Sequence, residues 1–85
     1  MTPELDLLRP ALEMAMIVAR QGETAPVRVE APRSLRPFLR FAKLPPRALA
    51  AARVALEDAE FRARVADRCD EEEVGRAGWL LLTRP

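Results

Sequence analysis

Hydrophobic residues recur with helical spacing over most of this chain, and prolines and glycines separate the recurring stretches. The first stretch covers residues 8–20, where Pro10 suits the first turn of a helix and Gly22 lies just past its end. The residues that repeat with the 3.6-residue period are Leu8, Leu12, Ala15, Met16 and Ala19. We therefore predict a first helix over 8–20, preceded by a short lead-in over 2–7.

The remaining circumference of this helix is also largely apolar, because Met14, Ile17 and Val18 occupy much of it. A helix that is hydrophobic nearly all round is normally buried on several sides. These three residues therefore either enter the core or form a surface for a protein partner.

Four more helices are predicted after an extended connection. Residues 22–33, GETAPVRVEAPR, contain two prolines and are interpreted as a loop. Ser34 is suited to cap the helix that follows, and Asp58 is suited to cap a later one. The predicted helices cover residues 35–43, 46–57, 59–68 and 71–83. The expected fold is all-α, a compact bundle of about five short helices.

The last predicted helix combines a strong start with two glycines in its interior. Asp70 and Glu73 have the spacing of a capping box, so we interpret the acidic run 70–73 as a helix start rather than as a metal site. Gly75 and Gly78 each cost about 1 kcal/mol relative to Ala, which is tolerable where another helix packs closely. The apolar stripe of this helix is predicted to be Val74, Gly78, Leu81 and Leu82.

Trp79 and Leu80 lie off this stripe, within the run Trp79-Leu80-Leu81-Leu82. Tryptophan is favoured at the centres of protein interfaces, but a small core also needs its one large aromatic residue. Either the helix is central in the bundle or part of its surface meets another chain. The candidate protein interface comprises Met14, Ile17, Val18, Trp79 and Leu80.

Composition indicates one small globular domain. The 85 residues are 49% hydrophobic and 32% charged, and we interpret 1–85 as the N-terminal module of a longer protein. The longest apolar stretch, 11–19, is interrupted by Glu13 and is too short for a membrane helix. The start, MTPELD, lacks the basic residues of a secretory signal. We expect a cytoplasmic location and no membrane partner.

The chain carries few residues suited to catalysis. It has no His, its sole Ser is Ser34, and its sole Cys, Cys69, shares an apolar helical stripe with Phe61 and Val65. The usual general base and the usual activator of a Ser or Cys nucleophile are therefore missing. The three glycines form neither a phosphate loop nor a dinucleotide fingerprint. We predict no enzyme activity, no cofactor, no metal and no small-molecule substrate.

Positive charge is concentrated in the middle of the chain. The net charge is only +1, but residues 28–53 hold seven basic residues against Glu30 alone. On the predicted helix 35–43, Arg36, Arg40 and Lys43 have the i, i+4, i+7 spacing of a single face. The alternatives are a phosphate-binding surface, or a solvated face that can pair with acids 70–73. The candidate nucleic-acid contacts are Arg33, Arg36, Arg40, Lys43 and Arg47.

One stretch of the chain carries a family resemblance. Residues 35–67, LRPFLRFAKLPPRALAAARVALEDAEFRARVAD, contain an Arg-Phe-Ala step before a Pro- and Arg-rich turn, an Ala/Leu/Arg helix and a Phe-Arg-x-x-Val step. This stretch resembles the N-terminal helical region of actinobacterial proteins that carry a PIN-like NYN nuclease domain or a coiled coil, and EVGRAGWLLLTRP looks like the close of such a region. The resemblance implies an accessory module in an RNA-linked protein, with the nuclease domain outside these residues.

Two functions follow from these patterns. The first is a non-catalytic helical interaction module that mediates self-association or docking to a protein partner or a following domain. The alternative is an RNA-binding accessory domain that uses the basic helix face.

Overall fold

Five helices, without a strand, account for the part of the chain that the structure describes. The computed structural model describes residues 3–84, with side chains from residue 5 onward. In chain order the helices are α1 (Pro3–Thr24), a 3₁₀ helix (Arg33–Phe38), α2 (Pro46–Ala55), α3 (Ala59–Ala66) and α4 (Glu71–Thr83). The predicted all-α bundle is thereby confirmed.

The longest helix, α1, extends beyond the predicted range 8–20 at both ends and contains Pro10 in its interior. Proline has no N–H for the carbonyl four residues earlier and disturbs the turn before it. Burial of Leu8 before Pro10 and of Ala11 after it, at 6% and 0% exposure, offsets this local cost. The predicted lead-in is therefore part of the helix, except for Thr2, which lies outside the described residues.

The core forms where α1 meets α4 and α2. Gly78 of α4 lies against Ala11 of α1 so closely that a Cβ added to the glycine would come within 2.9 Å of the alanine Cβ. This is the close helix packing that was predicted for Gly78. The predicted stripe of α4 is buried, and so are the expected core positions of α2, Leu49, Ala52 and Leu56.

Gly75 has a different role, and interpreting it as a packing position was wrong. Its backbone is at φ 80° and ψ 165°, outside the helical region, so α4 changes direction there. A Cβ added to Gly75 would have nothing within 4 Å, so space does not require the glycine. The backbone conformation requires it, because L-residues rarely adopt this region.

Side-chain caps begin both C-terminal helices as predicted. The Asp58 carboxylate accepts hydrogen bonds from the backbone N–H groups of Glu60, at 2.9 Å, and Phe61, at 3.2 Å. At the start of α4, Asp70 and Glu73 form the reciprocal capping box, at 2.9 and 3.1 Å. These bonds satisfy N–H groups that have no partner inside a helix.

The second predicted helix, 35–43, is not an α-helix. A 3₁₀ helix covers Arg33–Phe38 and a turn follows it. Pro37 donates no backbone hydrogen bond, and Pro45-Pro46 ends the segment, so too few residues remain for an α-helix to propagate. Ser34 does not cap this segment, because its hydroxyl donates to the Ala51 carbonyl at 2.9 Å instead.

Candidate functional site

The structure places most of the candidate protein interface inside the domain's own core. Val18 is buried, and Met14 and Trp79 are half-buried against the core cluster. Only Ile17 and Leu80 of the five candidates are exposed, at 43% and 53%. These two line different hollows, so the five residues do not form one surface.

The five candidate basic residues all lie at the surface, but they do not share one helix face. The 3₁₀ helix ends at Phe38, so Arg40 and Lys43 lie in the turn beyond it. Arg36 is already engaged, because its guanidinium donates to the Ala31 carbonyl at 3.1 Å and pairs with Glu30 at 3.2 Å. The predicted single stripe is therefore wrong in its geometry.

Three carboxylates of the acidic run 70–73 bond to groups within the start of α4. Asp70 and Glu73 bond each other's backbone in the capping box, and Glu71 pairs with Arg76 at 2.7 Å. None of these bonds of Asp70, Glu71 and Glu73 involves a basic residue of 33–47.

The turn that follows the 3₁₀ helix is held in place by Arg20 of α1. Its Nε donates to the Leu39 carbonyl at 2.7 Å and its Nη2 donates to the Phe41 carbonyl. Hydrogen bonds from a charged donor are stronger than neutral ones, so they fix the path of the turn. We call residues 38–47, from the last residue of the 3₁₀ helix through this turn to the first residues of α2, the basic turn.

Two aromatic rings lie within the basic turn. Phe38 packs against the core, and Phe41 packs edge-to-face on it with ring centroids 5.3 Å apart. The Arg47 guanidinium lies 5.9 Å from the centre of the Phe38 ring, on the scale of a cation–π contact. Phe41 is half-buried, and the neighbouring Arg40 and Lys43 are exposed.

The segment of chain that contains the basic turn carries basic residues and no carboxylate. Residues 31–56 contain six basic residues and no carboxylate, whereas residues 57–73 contain eight carboxylates and three arginines. Positive and negative charge are thus segregated along the sequence despite the net charge of +1. A region with one sign of charge attracts ligands of the opposite sign.

A hollow of about 300 Å³ lies beside the basic turn, where the turn meets α1. Glu13 and Arg9 on its wall are 3.9 Å apart. We call this space the turn hollow; its lining residues are Arg9, Glu13, Met16, Ile17, Arg20, Ala42, Lys43 and Leu44. Lys43 and Ile17, assigned from the sequence to different candidate sites, therefore line one hollow.

Sequence reasoning missed the polar residues that α1 contributes to this hollow. Arg9, Glu13 and Arg20 have the i, i+4, i+11 spacing of one helix face. This polar stripe on an otherwise apolar helix could have predicted the polar wall of the hollow, but only the apolar positions of the helix were used in the prediction.

The cysteine is poorly suited to nucleophilic chemistry. Burial raises the pKa of the Cys69 thiol above its ordinary value of 9.0, and the negative charges of Glu73 and Asp70 raise it further. Its sulfur lies 3.3 Å from the Val65 carbonyl oxygen, and it packs against the core. A thiol with a raised pKa holds little thiolate, the reactive form, near neutral pH.

Comparison with protein-family models, with curated proteins and with solved structures found no match to this chain. None of the described helices combines the length and apolar character needed to span a membrane. Among the described residues, no three His, Cys, Asp or Glu side chains are grouped so that they could hold a metal ion. The geometry of the basic turn and the turn hollow therefore carries the functional inference.

Proposed function

We propose that this domain binds single-stranded nucleic acid, RNA in the first instance, through the basic turn. The observation that carries the proposal is a half-buried aromatic residue, Phe41, among exposed basic residues in a turn whose backbone Arg20 bonds at two carbonyls. Proteins that bind single strands combine a basic track for the backbone with aromatic rings for the bases. The resemblance of residues 35–67 to a module of RNA-linked proteins supports the proposal of RNA binding.

Each part of the basic turn has a separate task in this proposal. Arg40, Lys43 and Arg47 contact phosphates, and Phe41 stacks on a base. The two bonds from Arg20 hold the turn in its binding conformation before the ligand arrives, which lowers the entropy cost of binding. Residues 31–56, which include the basic turn, contain no carboxylate of their own.

Salt dependence of binding gives the first test. Three phosphate contacts on a single strand give a slope of log affinity against log salt of roughly −2. Affinity for a fluorescent RNA of about 12 nucleotides should therefore fall roughly 20-fold between about 50 and 200 mM salt, measured by anisotropy. Affinity that is independent of salt, or no binding at the lower salt, rejects the proposal.

Charge reversal locates the binding surface. The double variant Arg40→Glu with Lys43→Glu should lose binding without loss of helical circular dichroism. Arg36 is unsuitable for this test, because its bonds to Glu30 and Ala31 give it a structural role. The control Arg68→Glu with Arg84→Glu changes the net charge equally at exposed positions outside the turn, and should bind nearly as well as the parent chain.

Truncation of Phe41 tests the stacking contact apart from charge. The Phe41→Ala variant should bind roughly 5- to 150-fold more weakly, corresponding to about 1–3 kcal/mol for one stacked base, with an unchanged salt slope. If the affinity of Phe41→Ala for RNA is unchanged, the ring makes no contact with a base, and binding depends on the basic residues alone.

Self-association is a second candidate function, and a groove between α1 and α4 favours it. Leu7 and Leu80 line this groove and are 67% and 53% exposed. Exposed Asp6 adjoins Leu7, and exposed Arg84 follows Leu80 by one turn. A surface that pairs with itself must be complementary to itself, and exposed apolar residues flanked by both signs of charge meet this condition, so we propose a second copy of this chain as the occupant.

Sedimentation of the purified domain over a range of concentrations tests this second function. The parent chain should form a dimer as concentration rises, and Leu7→Glu with Leu80→Glu should abolish the dimer. A monomer at all concentrations rejects self-association through the groove and leaves the nucleic-acid proposal untouched.

A further inference from the structure

The turn hollow has the size and lining of a site for one nucleobase. Its volume of about 300 Å³ is at the lower end of the range for small-molecule sites. Met16, Ile17 and Leu44 supply apolar walls for a flat ring, and Lys43 lines it from the basic turn. A base that leaves the strand at Phe41 therefore has an adjacent space to enter.

The polar pair on the hollow's wall is weak enough to open. Arg9 and Glu13 are 3.9 Å apart, at the limit of an ion pair, and their side chains are 39% and 48% exposed. The basic residue precedes the acid by four positions, which is the less favourable order on a helix. Such exposed pairs contribute little stability, so a polar group of a ligand can replace Arg9 as the bonding partner of Glu13.

Glu13 and Arg20 of α1 offer a defined hydrogen-bonding pattern. An ionised carboxylate only accepts hydrogen bonds, and a guanidinium only donates them. Arg20 uses donors on the Leu39 and Phe41 carbonyls and has others left at the hollow. The wall thus presents one two-oxygen acceptor beside strong donors.

We propose that the turn hollow binds guanine within a single strand, an inference that rests on the proposed function. The Watson–Crick edge of guanine presents two adjacent donor groups, N1–H and N2–H, beside the O6 acceptor. Both donors can bond the Glu13 carboxylate, while a guanidinium donates to O6. Adenine, cytosine and uracil each present a single donor group on that edge, so they leave one carboxylate oxygen unmatched.

Four oligouridine strands of about 12 nucleotides, with guanine, adenine, cytosine or uracil at one central position, test this assignment by anisotropy at about 50 mM salt. The guanine strand should bind roughly 5- to 150-fold more tightly than the others, as expected for one two-bond contact to a base edge. The variant Glu13→Gln keeps the size of the side chain but replaces one acceptor by a donor. It should lose the guanine preference while it binds the all-uridine strand at least as tightly as the parent chain, because a negative charge beside Lys43 is removed.

The matched control is Glu72→Gln, which makes the same change at an exposed position of the acidic run. It should keep the guanine preference. A second variant, Ile17→Trp, fills the hollow from an exposed position and should also abolish the preference.

The outcomes separate the two proposals. Equal binding of the four strands by the parent chain, or a guanine preference that survives Glu13→Gln, overturns the guanine site and leaves the basic turn as a non-selective binder. Absence of binding to every strand overturns the proposed function, and the guanine site with it.

Discussion

At Gly78 the helix α4 lies close against α1, and a methyl group placed there tests that packing. In Gly78→Ala the new Cβ would lie 2.9 Å from the Ala11 Cβ and 3.3 Å from the Val74 Cβ. The first distance is too short for two carbon atoms, and Ala11 has no flexible end that can move away. We expect overpacking to cost about 1–3 kcal/mol, against a gain of about 1 kcal/mol from replacing glycine within a helix.

The companion change Ala11→Gly makes the prediction sharper. Alone it should destabilise the fold by about 2 kcal/mol, roughly half from helix propensity and half from the lost buried methyl group. In the double variant the methyl group moves from α1 to α4 across the same contact, and the two propensity changes cancel. The double variant should therefore unfold with nearly the parental free energy, whereas the single effects sum to about 2–4 kcal/mol.

Urea unfolding followed by Trp79 fluorescence and by circular dichroism measures these free energies, since Trp79 is the sole tryptophan and is half-buried. The slope of free energy against urea should stay constant through the series. If the two single effects add to within about 0.5 kcal/mol in the double variant, Gly78 and Ala11 are not in contact and the packing argument is refuted.

Three further predictions follow from single residues. Gly75→Ala should destabilise the domain by about 1–3 kcal/mol although the site has room for a methyl group, because φ is 80°; urea unfolding that shows no loss contradicts the kink. The pKa of Glu23 is lowered from 4.5, first by the Ala31 N–H bond and then by Arg28. Its contribution to stability is therefore present above pH 4.5 and lost as pH falls through the lower folded pKa, and a Glu23→Gln variant should lose less stability between pH 7 and pH 3 than the parent chain. Because the pKa of Cys69 is raised above 9.0, iodoacetamide should react with it more slowly in the folded domain than in urea at pH 8, and equal rates reject its burial.

The starts of α2, α3 and α4 and the buried helix faces were predictable because they depend on near neighbours in the chain, whereas the start of α1 and the cap expected from Ser34 were wrong. Asp58 and the Asp70–Glu73 pair cap their helices through groups two or three residues away. The buried faces of α2 and α4 follow a 3.6-residue repeat that is visible in the sequence. The residues at the start of α2 were equally clear, because Pro46 suits a first turn and is intolerable later in a helix.

The candidate site was predictable in its residues but not in its shape. The charges of Arg40, Lys43 and Arg47 are plain in the sequence, yet their placement on a helix was wrong, because Pro37 and Pro45 leave a turn instead. The role of Arg20 depends on two backbone carbonyls about 20 residues away in the chain. No local pattern indicates which carbonyls a long side chain will reach.

The sequence by itself determined an all-α chain, the side-chain caps of α3 and α4, the buried helix faces and a basic segment without carboxylates. Only the tertiary structure decided that α1 runs through Pro10, that Gly75 marks a kink while Gly78 marks a contact, and that Lys43 joins Ile17 and Glu13 in one hollow. The division has a physical reason. Caps and helix faces depend on interactions within about four residues, whereas close packing and hollows depend on how distant segments approach, which is set by the summed burial of the whole core.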